Sequence, residues 1–176
     1  MKTTGVVRRI DDLGRIVIPK EIRKTLRIKD GENLEIFLER DNIVLKKYSI
    51  MENLGDFYKK YIDSINSEIN KNIIVIDRDK IVAVSGNIKK EYINKNISHT
   101  LEEKIKNTIP IYSKEINKIA ILNNSEILAS YSLSPIFVNG EVIGAVMIFL
   151  ENEEITSNDN TICLIASKFL GKYLEQ

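Results

Sequence analysis

The chain has 176 residues, 43% hydrophobic and 29% charged, with a formal net charge of +1. That length suits one large domain or two small ones, and the composition is that of a soluble globular protein. No apolar run reaches the ~18–20 residues of a membrane span. The opening MKTTGVVRR lacks a signal-peptide core, and a single cysteine, Cys163, excludes a disulfide framework or a multi-cysteine metal site. A reducing, cytoplasmic setting with no membrane, metal or cofactor is therefore expected.

Thr4 to Ile10 and Arg15 to Ile18 read as strands, joined by a turn at Asp11-Asp12-Leu13-Gly14. Pro19 suits the first position of a helix running from Lys20 to Ile28, which Asp30-Gly31 would stop. Leu34, Ile36 and Leu38 alternate with Glu35 and Glu39 as a half-buried strand. Arg40-Asp41-Asn42 then turns the chain into a strand from Ile43 to Tyr48. This ββαββ unit of about 48 residues has no disulfide or metal to staple it, so it is expected to fold only as a homodimer.

Residues 51–71 predict a long amphipathic helix, with Leu54, Phe57, Tyr58, Tyr61, Ile62, Ile65 and Ile69 on one face. Strands follow at Ile73–Asp77 and Lys80–Ser85. Thr100-Leu101-Glu102-Glu103 has capping-box spacing for a helix to about Asn107. Lys118–Leu122 and Glu126–Leu133 are strand-like, and Asn139-Gly140 marks a hairpin from Ile136 through Leu150. A final helix from about Asp159 to Leu174 sets Ile162, Ile165, Ala166, Phe169, Leu170 and Tyr173 on one stripe. The second unit is thus an α+β sensor-like domain.

Charge is unevenly placed. Residues 1–29 hold nine Lys or Arg against three acids, a charge of +6, leaving −5 for residues 30–176. Lys20, Arg23, Lys24 and Arg27 fall at i, i+3, i+4 and i+7, one cationic stripe, with Ile22 and Leu26 opposite as anchors. Four cations side by side repel unless an anion faces them, and a DNA backbone with one charge per ~1.7 Å of axis is the natural counterpart. Arg8, Arg9 and Arg15 add cations nearby. Other residues that look chemical have simpler readings. Cys163 fits a small buried hydrophobe, His99 a local turn, and Asp11-Asp12 the turn before Gly14. No nucleophile–base set, P-loop or dinucleotide fingerprint is present, so the chain reads as a non-enzyme.

The run TGVVRRIDDLGRIVIPKEIRKTLRI resembles the swapped-hairpin DNA-binding domain of the AbrB family of transition-state regulators. The resemblance continues through Tyr48, Leu54-Gly55-Asp56-Phe57, Ala83-Val84-Ser85-Gly86 and the segment Pro135 to Phe149. It points to the branch of that family that carries a C-terminal GAF-like domain and regulates sporulation. It implies an α+β protein with three parts. Residues 1–50 would interleave two hairpins into a small barrel, 51–55 form the joint, and 56–176 form the GAF-like domain. It further implies a DNA-binding activator and repressor of sporulation genes in the forespore, assembled as a homotetramer, whose GAF-like domain has the fold of small-molecule sensors. The family's DNA-contacting arginines carry over to Arg8, Arg15 and Arg23. Lys24 stands where arginine is common, with Arg9 and Lys20 as basic neighbours. Lysine keeps the charge and loses the forked geometry. Arg27 takes a place often held by glycine. Two other readings compete: an antitoxin-like module that binds a toxin, and a ligand sensor with incidental basic charge. Antitoxins with this hairpin usually continue into a short, poorly ordered tail, unlike the patterned domain here.

Overall fold

The computed structural model describes residues 6–48, 54–88 and 90–175. The chain divides into two compact units, Met1–Tyr48 and Ser49–Gln176. The predicted strand start at Thr4-Gly5 and the segment 49–53, with most of the joint and the start of the long helix, lie outside the described residues. Among the described residues no helix is long and apolar enough to cross a membrane.

In the first unit, the described residues of the two predicted N-terminal strands belong to no ladder. At the turn between them the Asp11 N–H donates to the Arg15 carbonyl (3.0 Å) and the Gly14 N–H to the Asp11 carbonyl (2.9 Å). Gly14 sits at φ +76, a conformation that explains glycine there. Helix α1 spans Lys20–Thr25 and is capped by Pro19, one residue outside the position predicted for it. It is shorter than the expected Lys20–Ile28 because Arg27 turns left-handed at φ 53. The Arg27 and Ile28 N–H groups then reach back to the carbonyls of Lys24 (3.1 Å) and Arg23 (2.8 Å), the closure typical of a helix end. Lys47 Nζ donates to the Arg27 carbonyl (2.8 Å) and adds a favourable cation at that end.

Strands β1 (Leu34–Glu39) and β2 (Asn42–Lys47) form an antiparallel hairpin, with Ile36 opposite Leu45 and Leu38 opposite Ile43. The half-buried character expected of β1 is not met within the chain, where Ile36 is 67% and Leu38 83% exposed. A lone two-stranded sheet has nothing to bury its apolar face against.

The second unit is a five-stranded antiparallel sheet, ordered β4-β3-β7-β6-β5. Its strands are β3 (Asn72–Asp77), β4 (Lys80–Ser85), β5 (Ile111–Leu122), β6 (Ser125–Val138) and β7 (Glu141–Glu151). Helices α2 (Gly55–Ile69) and α4 (Ser157–Leu174) cover one face, and α3 (His99–Lys106) lies against the other. Because both faces are covered, β3 is buried throughout and its apolar residues are unbroken, Ile73 and Val75 on one side and Ile74 and Ile76 on the other. The predicted hairpin is present, with Asn139 at φ 51 and Gly140 at φ 83. Gly144 packs against the Ile76 backbone so closely that an added Cβ would lie 2.1 Å from its carbonyl oxygen.

Three details depart from the sequence reading. Helix α3 is capped by Ser98, whose hydroxyl accepts from the Leu101 N–H (3.1 Å), rather than at Thr100. His99 is accordingly its first residue, and its N–H donates to Asn123 Oδ1 (3.2 Å). Strand β5 begins at Ile111 instead of Lys118; a register shift between Ser113 and Asn117 interrupts its period-two pattern. Strand β6 runs through Pro135, which is tolerated because the β5 ladder reaches only to Leu133, opposite Ile111, and leaves that stretch paired on one side only.

Helix α4 is rotated relative to the predicted stripe. It buries Cys163, Ala166, Ser167, Leu170, Gly171 and Leu174, and leaves Ile165, Phe169 and Tyr173 largely exposed. The reason lies in β6. Ser130, Ser132 and Ser134 point toward this helix side, with Ser132 donating to Asn160 Oδ1 (2.9 Å) and Ser134 bonded to Ser167 (2.7 Å). Gly171 lets the helix approach the Phe137 carbonyl, where a Cβ would meet oxygen at 2.4 Å.

Candidate nucleic-acid interface

The sequence-predicted cations lie on three pieces of the first unit. Arg8 and Arg9 are exposed in the extended segment before the turn, Arg15 follows the turn, and Lys20, Arg23 and Lys24 share helix α1. The four-residue stripe is shortened to three, because Arg27 in its left-handed conformation leaves the helix. Its position explains why glycine suits that place: glycine takes positive φ without a Cβ penalty. Ile22 is half-buried, as an anchor should be, whereas Leu26 is exposed at the helix end.

Arg15 and Arg23 are paired within their own chain. Arg15 Nε donates to Asp11 Oδ2 (2.7 Å), and Arg23 is bonded to Asp30. The second pair forms because the turn at Arg27 folds the chain back toward the helix. Both pairs are solvent-exposed, and exposed pairs contribute only about 0–1 kcal/mol, so both guanidinium groups remain accessible to an incoming polyanion. The Asp11 carboxyl is held below the usual range, first by the backbone N–H of Arg15 and then by its guanidinium. Asp11 therefore stays ionised and engaged in the turn, as its reading as a turn residue requires. Its pairing with Arg15 was missed from sequence, although their i, i+4 spacing is a signal that was there to find.

A second surface feature was also misplaced from sequence. The rings of Phe57 and Tyr61 on α2 stack on Tyr173 and Phe169 of α4, with centroids 4.3 and 4.9 Å apart. Together with exposed Ile165 they make an aromatic face on the second unit. Cys163 is fully buried beneath this helix, and its thiol donates to the Val146 carbonyl (3.3 Å). Burial pushes that thiol up to about 11, which removes the thiolate a redox or catalytic role needs.

Comparison with known proteins assigns both units. Residues 53–175 match the family described as stage V sporulation protein T C-terminal, transcription factor. Residues 7–52 match antidote-toxin recognition MazE, bacterial antitoxin. The chain is 44% identical to stage V sporulation protein T of Bacillus subtilis (strain 168), over the full length of both. It is 54% identical over 48 residues to the transition state regulatory protein AbrB of the same organism, a match covering 27% of this chain and 50% of that protein. Among solved structures, the GAF domain of A. aeolicus NLH2 in an inactive state superposes with a TM-score of 0.55 at 16% identity. That match covers 74% of this chain and 87% of the other. The chain belongs to the stage V sporulation protein T family of transcription factors, with an AbrB-like DNA-binding domain followed by a GAF-like domain.

Proposed function

We propose that this protein binds duplex DNA selectively, as an activator and repressor of sporulation genes, in the form of a homotetramer working in the cytoplasm of the forespore. One observation carries the reading: the most basic part of the chain sits on a unit that, among the described residues, buries Pro19 but none of its large aliphatic or aromatic side chains. Val7, Leu13, Val17, Ile36, Leu38 and Ile43 are all exposed there. Leaving them in water costs about 1.5–3 kcal/mol for each large side chain. A second copy of the same unit, interleaving its hairpin, is the occupant that its AbrB-like sequence favours. Pairing brings two sets of Arg8, Arg9, Arg15, Lys20, Arg23 and Lys24 to one surface, with residues 1–50 as the DNA-binding domain, 51–55 as the joint and 56–176 as the GAF-like domain. Recognition would lean partly on DNA shape and deformability.

Tetramer formation is assigned to the aromatic face of α2 and α4, where exposed Phe169 and Tyr173, stacked on half-buried Tyr61 and Phe57, suit a helical interface between copies. Linking two DNA-binding dimers raises effective affinity without any new contact. The opposite face of the sheet presents Ile74, Ile76, Tyr131, Leu133, Met147 and Phe149, covered by Leu101 of α3, so a small molecule sensed there would be mainly apolar. A metabolite-dependent thermal shift of the full chain tests that part.

DNA affinity should fall steeply with salt, by about 10³–10⁵ between 50 and 200 mM if six to ten phosphates are neutralised. A flat salt response would sink the reading. Arg15→Ala or Arg23→Ala should remove sequence-specific binding while the sedimentation mass stays unchanged. The match of residues 7–52 to an antitoxin description favours one rival, a toxin-binding module. Co-purification of a small toxin from the native cell would support it, but the large folded second unit weighs against it.

A further inference from the structure

We infer that Asp11 is a positioning residue for Arg15, aligning its guanidinium for an acceptor on DNA. The inference rests on the DNA-binding reading above. The two oxygens of Asp11 have separate tasks. Oδ1 accepts from the backbone N–H groups of Leu13 (3.1 Å) and Arg15 (2.8 Å) and so shapes the turn. Oδ2 accepts from Arg15 Nε (2.7 Å) and so fixes the side chain that leaves the turn. Two backbone bonds between Asp11 and its neighbours close the same loop. A flexible arginine therefore emerges from a rigid turn with one edge of its guanidinium already held.

The held edge matters because a guanidinium carries five donors in a planar fork. The bond to Asp11 uses Nε and leaves the donors of the two terminal nitrogens for an outside acceptor. Those are the donors that take a phosphate or the O6 and N7 of guanine in bidentate fashion. Holding the side chain beforehand also lowers the rotamer entropy lost on binding.

Charge and alignment predict opposite signs, which makes the inference testable. As a bare negative charge beside DNA, Asp11 opposes binding, and its neutralisation should tighten every complex. As a positioning residue, its loss should weaken the specific complex. Asp11→Asn separates the two, since the amide retains an oxygen for the turn but its nitrogen cannot accept from Arg15 Nε.

The probes are a duplex selected from random sequence by the wild-type protein and a scrambled duplex of the same composition. Asp11→Asn should bind the selected duplex about tenfold more weakly, with binding to the scrambled one unchanged or slightly tighter. In an Arg15→Lys background the same change should produce no further loss, because the Nε donor is already gone. Equal or tighter binding of the selected duplex by Asp11→Asn overturns the inference, as does an equal loss in both backgrounds. Failure of the wild type to prefer any duplex would instead sink the DNA-binding reading itself. One measurement needs no variant: the Arg15 Nε–H resonance should be slow to exchange in free protein and in the complex. Fast exchange in the complex also overturns the inference.

Discussion

The two units of this chain handle apolar residues in opposite ways. Residues 54–175 bury theirs in two clusters, one on each face of a five-stranded sheet, with Phe149, Met147 and Leu133 on one side and Tyr58, Ile62 and Leu170 on the other. Residues 6–48 leave Val7 at 90% and Leu38 at 83% exposure. Size accounts for much of the contrast, since a unit of fewer than fifty residues has too little interior for a core. In the proposed dimer, interleaving two copies would answer that deficit and also double the arginines facing DNA, so folding and function would make the same demand. The second unit satisfies its own core and still carries an aromatic helix face that a partner could cover.

The sharpest way to break this comparison is to charge the first unit where a monomer would not notice. Ile36→Asp places a carboxylate on a side chain 67% exposed within the chain, a change normally worth under about 0.5 kcal/mol. If two copies bury that face, the substitution occurs twice and should cost about 3–6 kcal/mol per dimer, abolishing DNA binding. Sedimentation and a DNA titration decide it. An unaltered mass with unaltered affinity would show that the apolar face needs no partner.

Gly144→Ala tests the self-sufficient core of the second unit. The added methyl would meet the Ile76 carbonyl at 2.1 Å, a backbone atom that cannot step aside. The unit should lose about 3 kcal/mol, read as a lower midpoint in urea unfolding. Burial of Cys163 gives a smaller, pH-dependent effect. Its thiol ionises near 9 in an unfolded chain and near 11 when folded. Below pH 9 both states keep the proton and nothing changes. Between 9 and 11 only the unfolded chain loses it, so stability should fall by about 1.4 kcal/mol per pH unit as pH rises. Cys163→Ala should remove that part of the slope. The smallest effect on folding is expected at the aromatic face. Phe169→Glu should cost the fold about 1 kcal/mol, through its stacking on Tyr61, while halving the sedimentation mass.

Much of the architecture was legible because it rests on local chemistry. Asn139-Gly140 reads as a tight hairpin because both residues tolerate positive φ, and β3 reads as a strand from its unbroken β-branched run. The cationic cluster on α1 was equally visible, since helical spacing alone brings Lys20, Arg23 and Lys24 together. The stripe on α4 was misread for a nonlocal reason. Phe169 and Tyr173 have the right spacing for a core, but the β6 surface that faces the helix is lined with serines. Those hydroxyls pair with Asn160 and Ser167, and the close approach at Gly171 turns Cys163 and Leu174 inward instead. The Arg23–Asp30 pair was hidden likewise, because it needs a left-handed residue at Arg27, where a sequence reader expects helix.

By itself the sequence determined where charge accumulates, where the chain must turn and which segments have strand or helix periodicity, because these follow from residue type and spacing along one backbone. Only the tertiary structure decided that the serines of β6 are buried rather than wet, which face of α4 enters the core, and that Asp30 reaches Arg23. Those outcomes depend on groups brought together by the fold, where hydrogen-bond satisfaction and close packing outweigh the preference of any single residue.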